Sequence, residues 1–353
     1  MPGTASVTEL LSGTLRDVER VSRIGTPNGG AIAAEIEREL QQAQSILARI
    51  LRAEARRHGG LDARFTGASA LSYERQVRLS IEYMKARLAG LTEAQARVAI
   101  DASMQRTITL MEGLEQRFTG IHRPLQLRQA DQLRSATRGA QASLLRQMPT
   151  SVDRYGAAMI GEMEGMIRVG LTMGASMDDM IGWFTGHGGP KGKVSLRATV
   201  TPSGVVRLEE ADIPEGLFER KRYWAERIVR TEVLRAYNGA RQEAFEAIRA
   251  TDFPDLKKKI VAILDSRTAE DSIAVNGQVR GLGELFVDGA GRQYLYPPAR
   301  PNDRETTIPW RDEWGGAASR ARPSEKRALG DISRQAEQTI VTAAQRAQKR
   351  QQR

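Results

Sequence analysis

Cysteine is absent from this chain of 353 residues. That excludes disulfides, thiol nucleophiles, thiolate zinc sites and iron–sulfur clusters together. Histidine is nearly absent: His58, His122 and His187 stand in separate parts of the chain, which speaks against a polyhistidine metal centre. Aromatic residues make up 5%. A core must then be assembled from Leu, Ile, Val, Ala and Met, a composition that favours packed helices over a sandwich of strands. Long apolar runs are missing too. The richest stretch, Met159 to Phe184, is broken by Glu162, Glu164, Arg168, Asp178 and Asp179, and a membrane span needs about eighteen uninterrupted apolar residues. The opening MPGTASVTELLSG has neither the basic start nor the apolar stretch of a secretion signal, so a soluble protein made in a cytoplasm is expected.

What is present in excess is positive charge. Lys and Arg number 53 against 43 Asp and Glu, a net charge of +10, which points to a polyanion or an acidic protein surface as partner. Much of the excess sits at the C-terminus: Arg320, Arg322, Lys326, Arg327, Arg334, Arg346, Lys349, Arg350 and Arg353 face only Glu325, Asp331 and Glu337. This segment has almost no aromatics, which argues against base stacking on single strands. It suits sequence-independent contact with duplex phosphates, where each neutralised phosphate releases counterions. Arg123, Arg128, Arg134, Arg138 and Arg146, with Asp131 the lone acid among them, form a second basic stretch that reads equally as a solvated helix face.

The pattern along the chain predicts a mainly α protein. Residues 1–30 end in Gly25-Thr26-Pro27-Asn28-Gly29-Gly30 and read as a flexible arm. Residues 31–185 read as a bundle of long antiparallel helices. A first apolar stripe runs from Ile32 through Ile36, Leu40, Ala43 and Leu47 to Ile50 and stops at His58-Gly59-Gly60. A second helix runs from Tyr73 through Leu88 and ends at Gly90, a third opens on a Thr92/Gln95 capping box, and a fourth runs from Pro124 towards Pro149. Met159, Met163, Met166, Met173, Met177 and Met180 recur at helical spacing, as core or as an adaptable surface. Residues 186–213 read as a linker with a β-hairpin: Gly186 to Lys193 resembles a phosphate loop but lacks its first glycine and its hydroxyl residue, and Thr201-Pro202-Ser203-Gly204 joins two β-prone runs. Residues 214–316 read as a small α+β domain opened by a long helix from about Glu215 to Ala250, and residues 317–353 as a basic helical tail.

The densest text lies between Arg227 and Trp310. Arg230-Thr231-Glu232 and Asn238-Gly239-Ala240-Arg241 share one helix. Lys257-Lys258-Lys259, Asp265-Ser266-Arg267-Thr268, Asn276-Gly277 and Phe286 follow, closed by Pro297-Pro298-Ala299-Arg300-Pro301-Asn302-Asp303-Arg304. In this order the motifs resemble the C-terminal domain of phage minor head proteins, the family of the phage Mu F protein and the SPP1-type head morphogenesis proteins. Its pattern is an R-T-E helix with a downstream Asn, a D-x-R-T turn, a following Gly, an aromatic, and a closing PP-x-H-P-N-x-R. The resemblance covers roughly Tyr155 to Trp310, under half of the chain, and rests on four short motifs in the right order.

The resemblance implies a structural protein of a tailed phage or phage-like particle, located at the portal vertex or head interior after assembly in the host cytoplasm. Its implied partners are the portal protein, the major head protein and non-specific double-stranded DNA, and the long helices are compatible with a homo-oligomer. No membrane and no cofactor is implied. Many relatives carry cysteines or histidines where this chain has Ala269, Ser272, Arg300, Asp303 and Glu305, so a zinc role is not carried over. From the residues themselves, charged groups among apolar neighbours persist when paired. Glu232 is therefore expected to meet Arg267, and Asp265 a backbone amide or an arginine such as Arg304, in a network with Arg230. Asn302-Asp303 reads as a turn that bonds its own backbone. Two alternatives remain: an enzyme, nuclease or ADP-ribosyl transferase in kind, using Glu232 and Asp265, and a helical scaffold or adaptor built on the long helices alone.

Overall fold

The computed structural model describes residues 13–20, 31–121, 123–186, 193–200, 206–212, 217–263 and 268–314. Helices dominate, with a small sheet region near the C-terminus. In chain order the elements are α1 (13–20), α2 (Ala31–Arg57), α3 (Gly67–Thr119), α4 (Ala130–Met173), α5 (Met177–Thr185), β1 (Lys193–Val200), β2 (Val206–Asp212), α6 (Leu217–Arg220), α7 (Arg222–Thr251), β3 (Lys257–Ala262), α8 (Glu270–Val275), β4 (Val279–Gly281), β5 (Phe286–Val287), β6 (Gln293–Tyr294) and β7 (Glu305–Trp310). The chain divides into two compact units, 25–91 with 148–229, and 1–24 with 92–147 and 230–353. Helices α3, α4 and α7 each contribute a part to both, so the division does not follow the 31–185 and 214–316 boundaries drawn from composition.

In the unit of 25–91 and 148–229 the core is helix on helix. Ile36, Leu40, Leu47 and Leu51 of α2 are buried, as are Tyr73, Val77, Ile81 and Leu88 of α3 and Tyr155, Met159, Met163 and Met166 of α4. Met177 and Met180 of α5 are buried as well, while Met173 is exposed, so five of the six spaced methionines are core. Phe65 meets Tyr73 edge-on with ring centroids 5.4 Å apart, and Tyr73 lies 6.5 Å from Phe184. α2 ends at Arg57, followed by Gly59 and Gly60 at φ 103°, a conformation that glycine adopts without a Cβ clash. α5 is closed at both ends: Ser176 and Asp179 form a capping box, and Gly186 terminates it in the left-handed region. β1 and β2 pair antiparallel as a hairpin.

The other unit packs the C-terminal half of α3, the N-terminal half of α4 and most of α7 beside two small sheets. One has strand order β4-β3-β7, all neighbours antiparallel; the other pairs β5 with β6. Ile100, Met104, Ile108 and Met111 of α3 and Val233, Tyr237, Phe245 and Ile248 of α7 are buried. Ser103 Oγ donates to the Tyr237 carbonyl at 2.6 Å. Gly139 lets α4 approach α7: a Cβ there would stand 2.8 Å from Glu243 Oε2. Trp314 closes the far end, stacked on Phe118 at 5.7 Å and donating from Nε1 to Glu115 Oε2 at 3.2 Å. Arg311 pairs with the same carboxylate and covers the Phe253 ring at 4.6 Å.

Four helix boundaries differ from the sequence reading, two of them through packing that overrides local preference. The second and third expected helices are one helix, α3, which runs through Gly90 and Thr92. Its buried stripe from Tyr73 to Leu88 and that from Ala96 to Met111 are out of phase by roughly a third of a turn, and a phase change reads like a break. An interior glycine costs only about 1 kcal/mol against alanine, too little to end a helix packed on both sides. The fourth expected helix was to stop near Pro149. Instead a short turn, Gln126–Arg128, follows Pro124, and α4 runs from Ala130 to Met173 with Pro149 inside it. Met148, Val152, Tyr155 and Met159 keep the apolar stripe in step across the proline, and their burial outweighs its roughly 3 kcal/mol penalty. Lastly, residues 13–20, read as part of a flexible arm, are helical, with Val18 buried and Asp17 paired to Arg106. The helix expected from Glu215 is also divided at Lys221 into α6 and α7.

Two glycines of α4 test this packing. At Gly170 an added Cβ would run into Met180 Sδ, in a side chain that is fully buried, whereas at Gly161 nothing lies within 4 Å. Gly170→Ala is expected to lower stability by about 1–3 kcal/mol through overpacking, and Gly161→Ala to raise it by about 0.5–1 kcal/mol through helix propensity. Urea unfolding of the two variants checks this; equal effects would show that α4 and α5 do not meet in this way.

Candidate functional site: the brace between α7 and β7

The motif helix and the closing turn meet through side chains of α7. Just before β7 the Arg304 carbonyl accepts from the backbone N–H of Ile263, just beyond β3, at 3.0 Å. By strand alternation the carbonyls of Glu305 and Thr307 point away from β3, to the outer edge of the sheet. Asn238 Nδ2 donates to the Glu305 carbonyl at 3.2 Å, and Arg241 Nη1 to the Thr307 carbonyl at 2.8 Å. Thr306 Oγ1 donates to Asn238 Oδ1 at 2.6 Å, while Arg241 Nη2 donates to the Tyr237 hydroxyl at 2.8 Å with the guanidinium 4.9 Å above that ring. Asn238 and Arg241 are both fully buried. The i, i+3 spacing places them on one face of the helix, and the 3.3 Å per residue of the strand brings alternate carbonyls within their reach. Pro309 removes the next outward donor. Among the described residues Arg241 forms no ion pair; burial lowers its pKa, and neutral acceptors together with the tyrosine ring take the place of a counterion.

Below this edge lies a charged ladder. Asp303 Oδ2 accepts from the backbone of Ala299 at 2.9 Å and Arg300 at 3.0 Å, so the closing motif does bond its own backbone. Arg300 reaches three groups: Asp303 Oδ1 from Nε at 2.7 Å, Asp271 Oδ2 from Nη1 at 2.5 Å and Ser272 Oγ from Nη2 at 2.8 Å. Arg292 joins Asp271 to Asp288. Beside them Tyr294 donates its hydroxyl to Glu305 Oε2 at 3.0 Å. Burial first, and the neighbouring Asp303 carboxylate second, push Glu305 up to about 7. On the other side of the small sheets Lys258 is fully buried, donating to the carbonyls of Leu282 and Leu295 and lying 5.1 Å above the Phe286 ring; desolvation brings it down to about 8.

The structure places the sequence-derived residues unevenly. Glu232 is fully buried and paired with Arg235, three residues along its own helix. Arg230 donates to Asn302 Oδ1 at 2.5 Å, joining the R-T-E helix to the closing motif, where Asn302 holds φ 69°. Arg304 lines a cavity of about 140 Å³ with Ser272, Arg300 and Asp303, smaller than ordinary ligand pockets of about 300–1,000 Å³. Asp265 and Arg267 lie outside the described residues, and so do the nine basic residues from Arg320 to Arg353. In the second basic stretch, Arg128 is held bidentately by Glu112 at 2.6 and 2.5 Å, Arg123 covers Phe253 at 5.6 Å, and Arg134 pairs with Asp131.

Ser272, Arg300 and Asp303 form one hydrogen-bonded cluster with Glu305 beside it, and Ala269 contributes only the backbone start of α8. Among the described residues no three His, Asp or Glu side chains group as a metal site. Sequence reasoning missed Arg235, Tyr237, Tyr294 and the Thr306-Thr307 pair, and named Lys258 among the motif residues without a role. The i, i+4 spacing of Tyr237 and Arg241 was a readable signal; the contribution of Lys258 was not, because a lysine triplet reads as solvated charge.

Glu305 links the site to pH. Its ordinary value is 4.5, and in the fold it titrates near 7. Between those values the unfolded chain has lost the proton and the native chain keeps it, so stability contributed by the neutral acid is complete below pH 4.5 and declines up to about pH 7. In Glu305→Gln this decline should be shallower, measured as urea midpoints from pH 4.5 to 8. An identical slope would mean that Glu305 is not held neutral. No family model, curated protein or solved structure matches this chain.

Proposed function

We propose that this chain is a structural minor head protein of a tailed phage or phage-like particle, docking at the portal or head interior and touching packaged double-stranded DNA during assembly or delivery. The observation that carries the reading is the use of the motif residues. Arg230, Asn238 and Arg241 of the R-T-E helix are all spent on holding the closing motif and β7. Charged and amide side chains consumed in this way serve architecture, and an assembly protein needs architecture more than a cleft. Glu232, which a nuclease or transferase would require as a working carboxylate, is sealed from solvent and carries Arg235 on one oxygen. No helix among the described residues is long and apolar enough to cross a membrane.

In this reading the helices supply surfaces for the portal and major head proteins, and the residues from Arg320 to Arg353 supply the DNA contact. Nine cations against three acids favour backbone contact without sequence preference. Deleting residues 320–353 should weaken binding to duplex DNA and reduce the slope of log affinity against log salt by several units, up to about 8 were all nine cations to meet phosphates. Fluorescence anisotropy on a labelled duplex over a salt series measures both. An unchanged slope would remove the tail from the interface, and cleavage of plasmid with Mg²⁺ that is lost in Glu232→Gln would replace the proposal with the enzyme.

A further inference from the structure

Helix α3 turns one face to the core between Tyr73 and Leu88 and leaves the opposite face bare. Leu71 is 70% exposed, Leu79 58% and Tyr83 41%. Ala86 and Gly90 continue the stripe, and no atom lies within 4 Å of where a Gly90 Cβ would be. Two rows at i, i+4 spacing, Leu71-Arg75-Leu79 and Glu74-Arg78-Glu82, border an open furrow of about 350 Å³ on this face. Such a furrow between ridges is what a second helix packs into. Scattered exposed leucines need no explanation, but a stripe of them on one helix face does.

The charges set among these apolar side chains say which helix. Arg75 and Glu82 lie seven residues apart on the same flank, roughly 10 Å along the axis. Among the described residues Arg75 forms no ion pair, and Glu82 has only Lys85, on its own helix at 3.0 Å. A two-fold axis that relates two antiparallel copies returns each flank to the same flank of its partner. With that axis between Arg78 and Leu79, Arg75 of each copy stands opposite Glu82 of the other, Leu71 opposite Ala86, and the two Leu79 side chains meet near the axis. Shifting the axis to between Gln76 and Val77 would set Arg75 against Arg78, like charge on like charge. A uniformly acidic or basic partner would meet repulsion from one member of each pair. The pattern is complementary to itself.

We propose that α3 is a homodimer interface, formed by antiparallel packing of the 71–86 face of two copies about Leu79 with reciprocal Arg75–Glu82 ion pairs. The contact is small, so the dimer is concentration-dependent, with dissociation in the micromolar range expected for interfaces below about 1,200 Å². It is independent of the proposed role in a phage head.

Analytical ultracentrifugation over a concentration series is the test, on the full chain and four variants at exposed positions. Leu79→Glu should abolish the dimer. Arg75→Glu and Glu82→Arg should each weaken it about tenfold, and the double reversal, Arg75→Glu with Glu82→Arg, should return it to within about threefold of the original. Because the chain has no cysteine, Leu79→Cys introduces a single thiol at the axis. Mild oxidation should cross-link that variant, and should not cross-link Val98→Cys, equally exposed on the same helix. A chain that is monomeric throughout overturns the proposal. So does a dimer that all four variants leave unchanged, or a double reversal no better than the single ones.

Discussion

A strand at the rim of a sheet presents a row of backbone acceptors that must be satisfied or buried at a cost. Here two side chains of one helix take that row. Asn238 and Arg241 reach the outward carbonyls of Glu305 and Thr307, and in doing so fasten α7 to β7 across more than sixty residues of chain. The interaction is expensive to arrange, since it buries a guanidinium without a carboxylate. It persists because the acceptors around it are neutral, and because the Tyr237 ring faces the charge. Sheet, closing turn and charged ladder all hang from this edge.

The ladder follows the same principle on a different scale. Arg300 ties three acceptors from two segments to one planar group, which is what a guanidinium does well and an ammonium does poorly. The cation that joins these groups belongs to the chain itself and is always charged. The neighbouring Glu305 then sits in a dry, already acidic corner and retains its proton into the neutral range. Lys258 shows the complementary case, a cation capped by two carbonyls and an aromatic face.

The long helices raise a separate point about patterning. α3 serves two cores with two different faces, and the faces it leaves open differ accordingly. A single amphipathic stripe would have made one long seam; the phase change leaves the Leu71–Tyr83 surface opposite the buried stripe from Tyr73 to Leu88. Glycine contributes in the same way along α4, where Gly139 admits a neighbouring helix at close range and Gly161 faces open space.

Composition alone was enough to establish a mainly helical protein without thiol chemistry, because few aromatics and no cysteine leave little else to build a core from. Local periodicity located α2, the methionine core and the hairpin, and the Asn-Asp turn was legible because Asp303 satisfies backbone groups next to it. Gly90 and Pro149 misled because a residue's intrinsic preference is worth about 1–3 kcal/mol, less than the burial of the stripes on either side. Two contacts of the charged motif residues were not legible: the pairing of Glu232 with Arg235 on its own helix, and that of Arg230 with Asn302 seventy-two residues away. Short-range chemistry can be read from spacing, but a contact between distant segments depends on where tertiary packing carries them, and only the folded chain decides that.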